Sequence, residues 1–140
     1  MRKSLLLAAV AAICLATFAF ANNSDRAAVT AVARNYMDAY YTADAPKMQR
    51  SLHPNFHKRT LLNNSRELRE DNVETMLEGV RSGSGKNFKE NERVQSIQVL
   101  DMYKDAATVK VVTARWVDYM LITRQNGDWR VLDVVLQYAN

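Results

Sequence analysis

The apolar positions of this chain change period once, from helical spacing in the first half to alternation in the second. From Ser24 to about Thr42, Ala28, Val29, Val32, Ala33, Tyr36, Met37, Tyr40 and Tyr41 recur three and four apart. That spacing puts them on one stripe of an amphipathic helix. Ser24 is placed to cap it, and Asp25 lies in the first turn, where the helix dipole favours a negative charge. A second, short helix is predicted from Asp44 to about Leu52, burying Met48 and Leu52. Pro46 falls in its first turn, where a missing N–H costs little. His53-Pro54 ends it, because the residue before proline is pushed out of the α region.

Phe56 to Leu62 can form a short strand, although neither of its alternating faces is cleanly apolar. Asn63-Asn64-Ser65 reads as a turn, Leu68 as a brief extended position, and Asp71 to Val80 as a helix with Val73, Met76, Leu77 and Val80 on one stripe. Arg81 to Lys86, RSGSGK, is the most loop-like stretch. It shares composition with a phosphate loop but lacks the GxxxxGK[ST] spacing. Beyond it the period becomes two. Arg93 to Tyr103 alternates and is followed by a tight turn at Lys104-Asp105. Ala106 to Arg124 is 19 residues without Gly, Pro or Asn, too long for one ordinary strand. It is expected to reverse around Thr113 to Arg115, giving strands 106–113 and 116–124. Asn126-Gly127 is a strong hairpin signal leading into a last strand, 129–138. The predicted class is α+β, with helices against one face of a mostly antiparallel sheet.

Composition narrows the setting. Arg2-Lys3, an apolar run from Ser4 to Phe20 and the small-x-small Ala19-Phe20-Ala21 have the order of a secretory signal peptide. Residues 1–21 are therefore expected to be removed, leaving 22–140 as one domain in a secreted or periplasmic protein. Two rivals are an uncleaved anchor, since Ser4 to Ala21 is 18 residues and close to the lower limit of a span, and a lipoprotein signal at Cys14. The second suffers from Ile13 standing where a small residue is wanted. Cleavage removes the only cysteine, so no disulfide or thiolate chemistry is expected. It also removes Arg2 and Lys3, so 19 basic residues become 17 against 15 acidic ones, a net charge of +2. The basic residues are interspersed with Asp and Glu, which argues against nucleic acid. After cleavage no membrane segment is expected.

The segments YMDAYYTADAPKM, SLHPNFHKR and WVDYMLITRQNGDWRVLDVVLQ together resemble the putative lumazine-binding branch of the NTF2-like superfamily. The resemblance covers nearly all of residues 22–140. It implies a cone of about three N-terminal helices packed on a strongly curved, mostly antiparallel sheet. It also implies a pocket between the first helix and the concave sheet face, and a homodimer paired through the sheet. Superfamily members include isomerases, dehydratases and proteins with no known reaction, so the resemblance implies a fold more firmly than an activity.

Candidate site residues follow from polar groups on otherwise apolar faces. By period two, Trp116, Asp118, Met120 and Ile122 share a face, and so do Trp129, Val131, Asp133, Val135 and Gln137. A carboxylate in apolar company has its charged form disfavoured, which moves its pKa toward acid–base duty. That is the functional reading of Asp118 and Asp133. The alternative places each at a strand end or edge, satisfied by Arg or backbone N–H. Tyr36 and Tyr40, one turn apart, could donate a hydroxyl to a ligand oxygen or simply fill the core. His53 and His57 are separated by Pro54 and do not share a helical turn, so no metal site is expected. His53 either bonds backbone at the helix end or sits at the pocket mouth. His57 and Arg59 share one side of their strand and would make an anion-friendly wall if that side faced the pocket. Trp116, Met120 and Trp129 complete the expected lining. No cofactor is expected. Three functions fit this pattern: an exported binder of a small apolar or aromatic ligand, a cofactor-independent acid–base enzyme, and an interaction module whose cavity is filled by its own side chains. The opposite face of the last strand, with Leu132, Val134, Leu136 and Tyr138, is the expected dimer contact.

Overall fold

The computed structural model of the protein describes residues 23–62 and 67–139. The expected signal peptide, 1–21, and the Asn63-Asn64-Ser65 turn lie outside the described residues. Helix α1 covers 23–42, followed by α2 (Ala45–Ser51), β1 (Leu52–Leu61), β2 (Leu68–Asn72) and α3 (Val73–Arg81). A short 3-10 turn at Glu90–Glu92 leads to β3 (Val94–Tyr103), β4 (Ala106–Thr113), β5 (Trp116–Gln125) and β6 (Asp128–Tyr138). The six strands form one sheet in the order β2-β1-β6-β5-β4-β3. All neighbours are antiparallel except β1 and β6, which run parallel. Among the described residues no helix is long and apolar enough to cross a membrane.

The strong curvature implied by the resemblance is absent. Three helices do pack against the sheet, but the sheet is open and neither strongly curled nor closed. Closure would require the outermost strands to exchange hydrogen bonds. Here β2 and β3 end the order at opposite sides, and β2 is only five residues long.

Local chemistry explains most boundaries. Asp44 caps α2, its Oδ1 accepting from the Lys47 N–H at 2.9 Å, with Pro46 in the first turn. β1 begins immediately after α2, four residues before the expected Phe56. Pro54 is tolerated because the pairing with β6 is interrupted between Leu52 and His57, so no ladder bond is lost there. Helix α3 starts at Val73 because Asn72, not Asp71, caps it: Asn72 Oδ1 accepts from Thr75 N–H, and Thr75 Oγ1 accepts from Asn72 N–H. Asp71 is left in β2, opposite Lys58. The reversal after Thr113 works without Gly or Pro. The Thr113 hydroxyl accepts from the N–H groups of Arg115 and Trp116 and donates to the Trp116 carbonyl, which satisfies the turn from one buried side chain. At the β5–β6 hairpin Asn126 and Gly127 both have positive φ, 53° and 87°, as a two-residue primed turn requires.

One irregularity decides which residues face the helices. Along β6, Val131 pairs with Ile122 and Asp133 with Leu121, so Leu132 is an extra residue. This β-bulge breaks strict alternation. Before it Trp129 and Val131 are buried; after it Val134 and Leu136 are, while Asp133, Val135 and Gln137 turn away. The core is thus built from Phe56 on β1, Val109 and Val111 on β4, Met120 and Ile122 on β5, these β6 residues, and Val29, Ala33, Tyr36 and Met37 on α1. The expected apolar outer row on β6 does not exist, because Val134 and Leu136 lie inside. The outer face instead carries Tyr119 and Leu121 on β5 and Val135 on β6, with Arg59 and Asp133 beside them.

Candidate functional site

A cavity of about 320 Å³ lies between α1, α3 and the inner face of the sheet. That volume is at the lower end of the range for small-molecule sites. Helix α1 contributes Tyr36, Met37 and Tyr40; α3 contributes Thr75, Met76 and Gly79; the following loop adds Ser84 and Phe88. The sheet supplies Lys58, Arg69, Asp71, Trp116, Asp118, Leu136 and Tyr138. Arg69 and Asp71 form a partly exposed ion pair at 3.5 Å. The aromatic wall is a packed cluster: the Phe88 and Trp116 rings are 5.1 Å apart, and Tyr40 meets both at 6.3 Å. It is held from behind by Gly85, whose missing side chain lets the loop press on the Tyr40 backbone.

Asp118 is fully buried at 0 % exposure on the inner face of β5. Its Oδ2 accepts from the Trp116 indole N–H at 2.9 Å, whereas Oδ1 has no partner. Burial raises the carboxyl pKa above its ordinary value; the nearby Lys58 ammonium and the Trp116 hydrogen bond pull the other way. Lys58, at 9 % exposure, projects from β1 into the same space. Its one hydrogen bond among the described residues is a long 3.5 Å donation to the Tyr36 hydroxyl. Tyr36 is in turn 3.9 Å from Met76 Sδ. Burial first, then the Asp118 charge, raises the Tyr36 phenol well above its usual range, so it stays protonated and able to donate. The arrangement therefore offers a carboxyl oxygen, an ammonium and a phenol in apolar, aromatic surroundings.

The residues picked from the sequence divide. Tyr36, Tyr40, Trp116 and Asp118 line the cavity. Met120 and Trp129 are buried on the inner side of the sheet but do not line it; the Arg124 guanidinium lies 5.0 Å from the Trp129 ring. His53 is buried at the start of β1, where its Nδ1 accepts from the Asn55 N–H, away from the cavity. His57 and Arg59 point to the outer face, because the inner row of β1 is Phe56, Lys58 and Thr60. Asp133 is moved outward by the Leu132 bulge and pairs with Arg59 at 3.0 Å. The anion-friendly wall of His57 and Arg59 and the second cavity acid are corrected accordingly. Sequence reading missed Lys58, Arg69 and Asp71. Lys58 had a signal: it alternates in phase with Phe56, a large apolar residue of the same strand. Among the described residues no group of three or more Asp, Glu, His or Cys could hold a metal ion.

Comparison with known proteins agrees with this architecture. An NTF-2 like protein of unknown function from Silicibacter pomeroyi is similar with a TM-score of 0.67 at 17 % identity, covering 84 % of this chain and 98 % of that one. An NTF2-like protein with a cystatin-like fold from Novosphingobium aromaticivorans gives a TM-score of 0.70 at 9 % identity, over 89 % and 88 % of the two chains. A ketosteroid isomerase-like protein from Erwinia carotovora atroseptica gives 0.56 at 16 % identity, over 81 % and 95 %. No curated protein matches the chain. At these identities the structures speak for the fold alone. The family described as "Putative lumazine-binding" matches residues 24–136. With helices, sheet and sequence in accord, the chain belongs to that family, within the NTF2-like superfamily.

Proposed function

We propose that this protein binds a small, planar, largely apolar ligand in the cavity between α1, α3 and the sheet, after export from the cytoplasm. The carrying observation is the cavity itself: about 320 Å³ walled by Tyr40, Phe88, Trp116 and Tyr138, with buried polar groups at Asp118 and Lys58. Aromatic walls with a few convergent polar groups are the usual composition of a small-molecule site. A cavity filled by its own Met, Tyr and Trp, the interaction-module alternative, would leave no such space. Naphthalene tests the reading as a probe of shape alone. Saturation-transfer NMR on residues 22–140 is expected to show saturable binding that disappears in Ser84→Trp, where an exposed residue on the cavity rim is enlarged to plug it. Absence of saturable binding to the unmodified chain overturns the proposal.

An acid–base enzyme is the second reading, favoured by the unpartnered Asp118 oxygen in a cavity that the protonated Tyr36 phenol also lines. It adds proton exchange to binding. The outer sheet face, with Tyr119 at 48 % exposure beside Leu121 and Val135, supports a homodimer paired through the sheet.

A further inference from the structure

Two neighbouring donors that line the cavity lack an adequate acceptor. Lys58 is buried and carries three N–H donors. Among the described residues it makes no ion pair, and its one hydrogen bond is the 3.5 Å donation to Tyr36 Oη. Charge-assisted bonds are normally about 2.7–2.9 Å long, so this one leaves the ammonium poorly satisfied. The Tyr36 hydroxyl has in turn only the Met76 thioether, at 3.9 Å, to receive its proton, and a thioether is a weak acceptor. The other charges of the cavity are engaged elsewhere. Arg69 and Asp71 pair with each other. Asp118 accepts from Trp116 at Oδ2, and burial raises its pKa despite the nearby ammonium, which weakens its claim on a cation. A buried positive charge without a partner is costly, and an acceptor that enters with a negative charge removes that cost.

We propose that Lys58 Nζ and Tyr36 Oη form one anion-recognition point that takes the carboxylate of a flat aromatic acid, whose ring lies against Tyr40, Phe88 and Trp116. This rests on the ligand-binding reading of the cavity and adds the charged group that the ligand carries. The 3.5 Å between the two donors is less than two hydrogen bonds of about 2.8 Å laid end to end, so a single carboxylate oxygen can reach both. Lys58 contributes the charge. Tyr36, kept protonated first by burial and then by the Asp118 charge, contributes a neutral donor. Both are held on regular elements: Lys58 in the inner row of β1 between Phe56 and Thr60, and Tyr36 on α1, its ring 6.2 Å from that of Phe56. Little ordering is left to be done when the ligand arrives. Lys58 is thereby a specificity-determining residue, selecting an acid over a neutral ring of the same shape and rejecting a cation.

Three probes on one ring system separate the contributions: 2-naphthoate, which carries the anion; 2-naphthamide, which keeps the oxygen and loses the charge; and 2-methylnaphthalene, which has neither. Affinities are measured by saturation-transfer NMR at about pH 7 and 0.15 M salt, where attraction to surface charges is screened. On the unmodified chain 2-naphthoate is expected to bind at least about tenfold more tightly than the other two, since a hydrogen bond to a charged group is worth roughly a factor of ten or more. Lys58→Met is expected to erase the preference for the acid over the amide, and Tyr36→Phe to reduce it by roughly two- to tenfold. Ser84→Trp is expected to abolish binding of all three. Equal affinity for acid and amide on the unmodified chain overturns the inference, and that comparison requires no variant to fold. A preference for the acid that survives Lys58→Met or Ser84→Trp also overturns it. 2-Methylnaphthalene bound with no preference for 2-naphthoate overturns the inference and leaves the binding cavity standing. No binding of any of the three overturns both.

Discussion

Replacing Gly85 by alanine puts the packing of the cavity's rear wall to a quantitative test. A Cβ built at this position would lie 2.3 Å from the Tyr40 carbonyl oxygen, 2.8 Å from its carbonyl carbon and 2.7 Å from its ring Cδ1. Two of the three atoms are backbone of α1 and cannot swing aside. Real Cβ contacts stay above 3.0 Å, so the loop must retreat from the helix by about 0.7 Å, the difference between 3.0 and 2.3. Forced shifts of this kind in a packed region cost about 1–3 kcal/mol. For a domain of this size each kcal/mol lowers Tm by roughly 3–5 °C. Gly85→Ala is therefore expected to lower Tm by about 3–15 °C in a thermal unfolding scan. Because the same retreat separates Phe88 from Tyr40 and Trp116, near-ultraviolet circular dichroism should weaken below the transition. Gly79→Ala supplies the control. It lies within α3, its new Cβ would meet only Ser84 Oγ at 3.8 Å, and the gain in helix propensity is about 0.5–1 kcal/mol. If Gly85→Ala melts at or above the temperature of the unmodified chain, loop and helix are not in hard contact and the reasoning from the Cβ distances is refuted.

Other expectations concern charge and the outer face. The Asp118 carboxyl has its pKa raised in the folded state, so folding is favoured below its unfolded value, and that contribution is lost as pH rises through the folded one. The stability of Asp118→Asn minus that of the unmodified chain, from urea titrations between pH 4 and 8, should therefore rise with pH. The rise amounts to about 1.4 kcal/mol for every pH unit that separates the folded from the unfolded pKa; parallel profiles would sink this assignment. Asp133→Ala removes a half-exposed ion pair with Arg59, so it should cost less than about 1 kcal/mol and leave naphthalene affinity unchanged. A change in that affinity would put Asp133 back in the site. Tyr119→Glu with Leu121→Lys should convert a dimer into a monomer by light scattering, without a loss of cavity binding. A species of unaltered mass after that double change would rule out pairing through this face.

Much of the fold was legible because it depends on neighbours in sequence. The α1 stripe, the Pro46 entry to α2 and the Asn126-Gly127 hairpin each follow from local sterics, and the reversal after Thr113 follows from the limit on strand length. The α3 boundary shifted by two residues because Asp71 and Asn72 are both capable caps. Only the pairing of β2 with β1 makes Asp71 a strand residue. Within the candidate site, Asp118 and Trp116 were found because β5 keeps strict alternation from Trp116 to Ile122. Asp133 was misplaced because period two was carried through a strand that breaks it.

What the chain alone determined, then, was which segments form helices and strands and which short turns join them, since those preferences are set by residues a few positions apart. Tertiary structure decided the rest. Leu132 became a bulge only because β6 must match β5 on one edge and β1 on the other, and that one extra residue moved Asp133 out and Val134 in. The openness of the sheet depends on two edge strands that never meet. Asp118 and Lys58, 60 positions apart in sequence and on strands separated by β6, line one cavity. No periodicity along the chain records such a meeting, because it is the packing of α1 and α3 over the sheet that encloses both groups in one cavity.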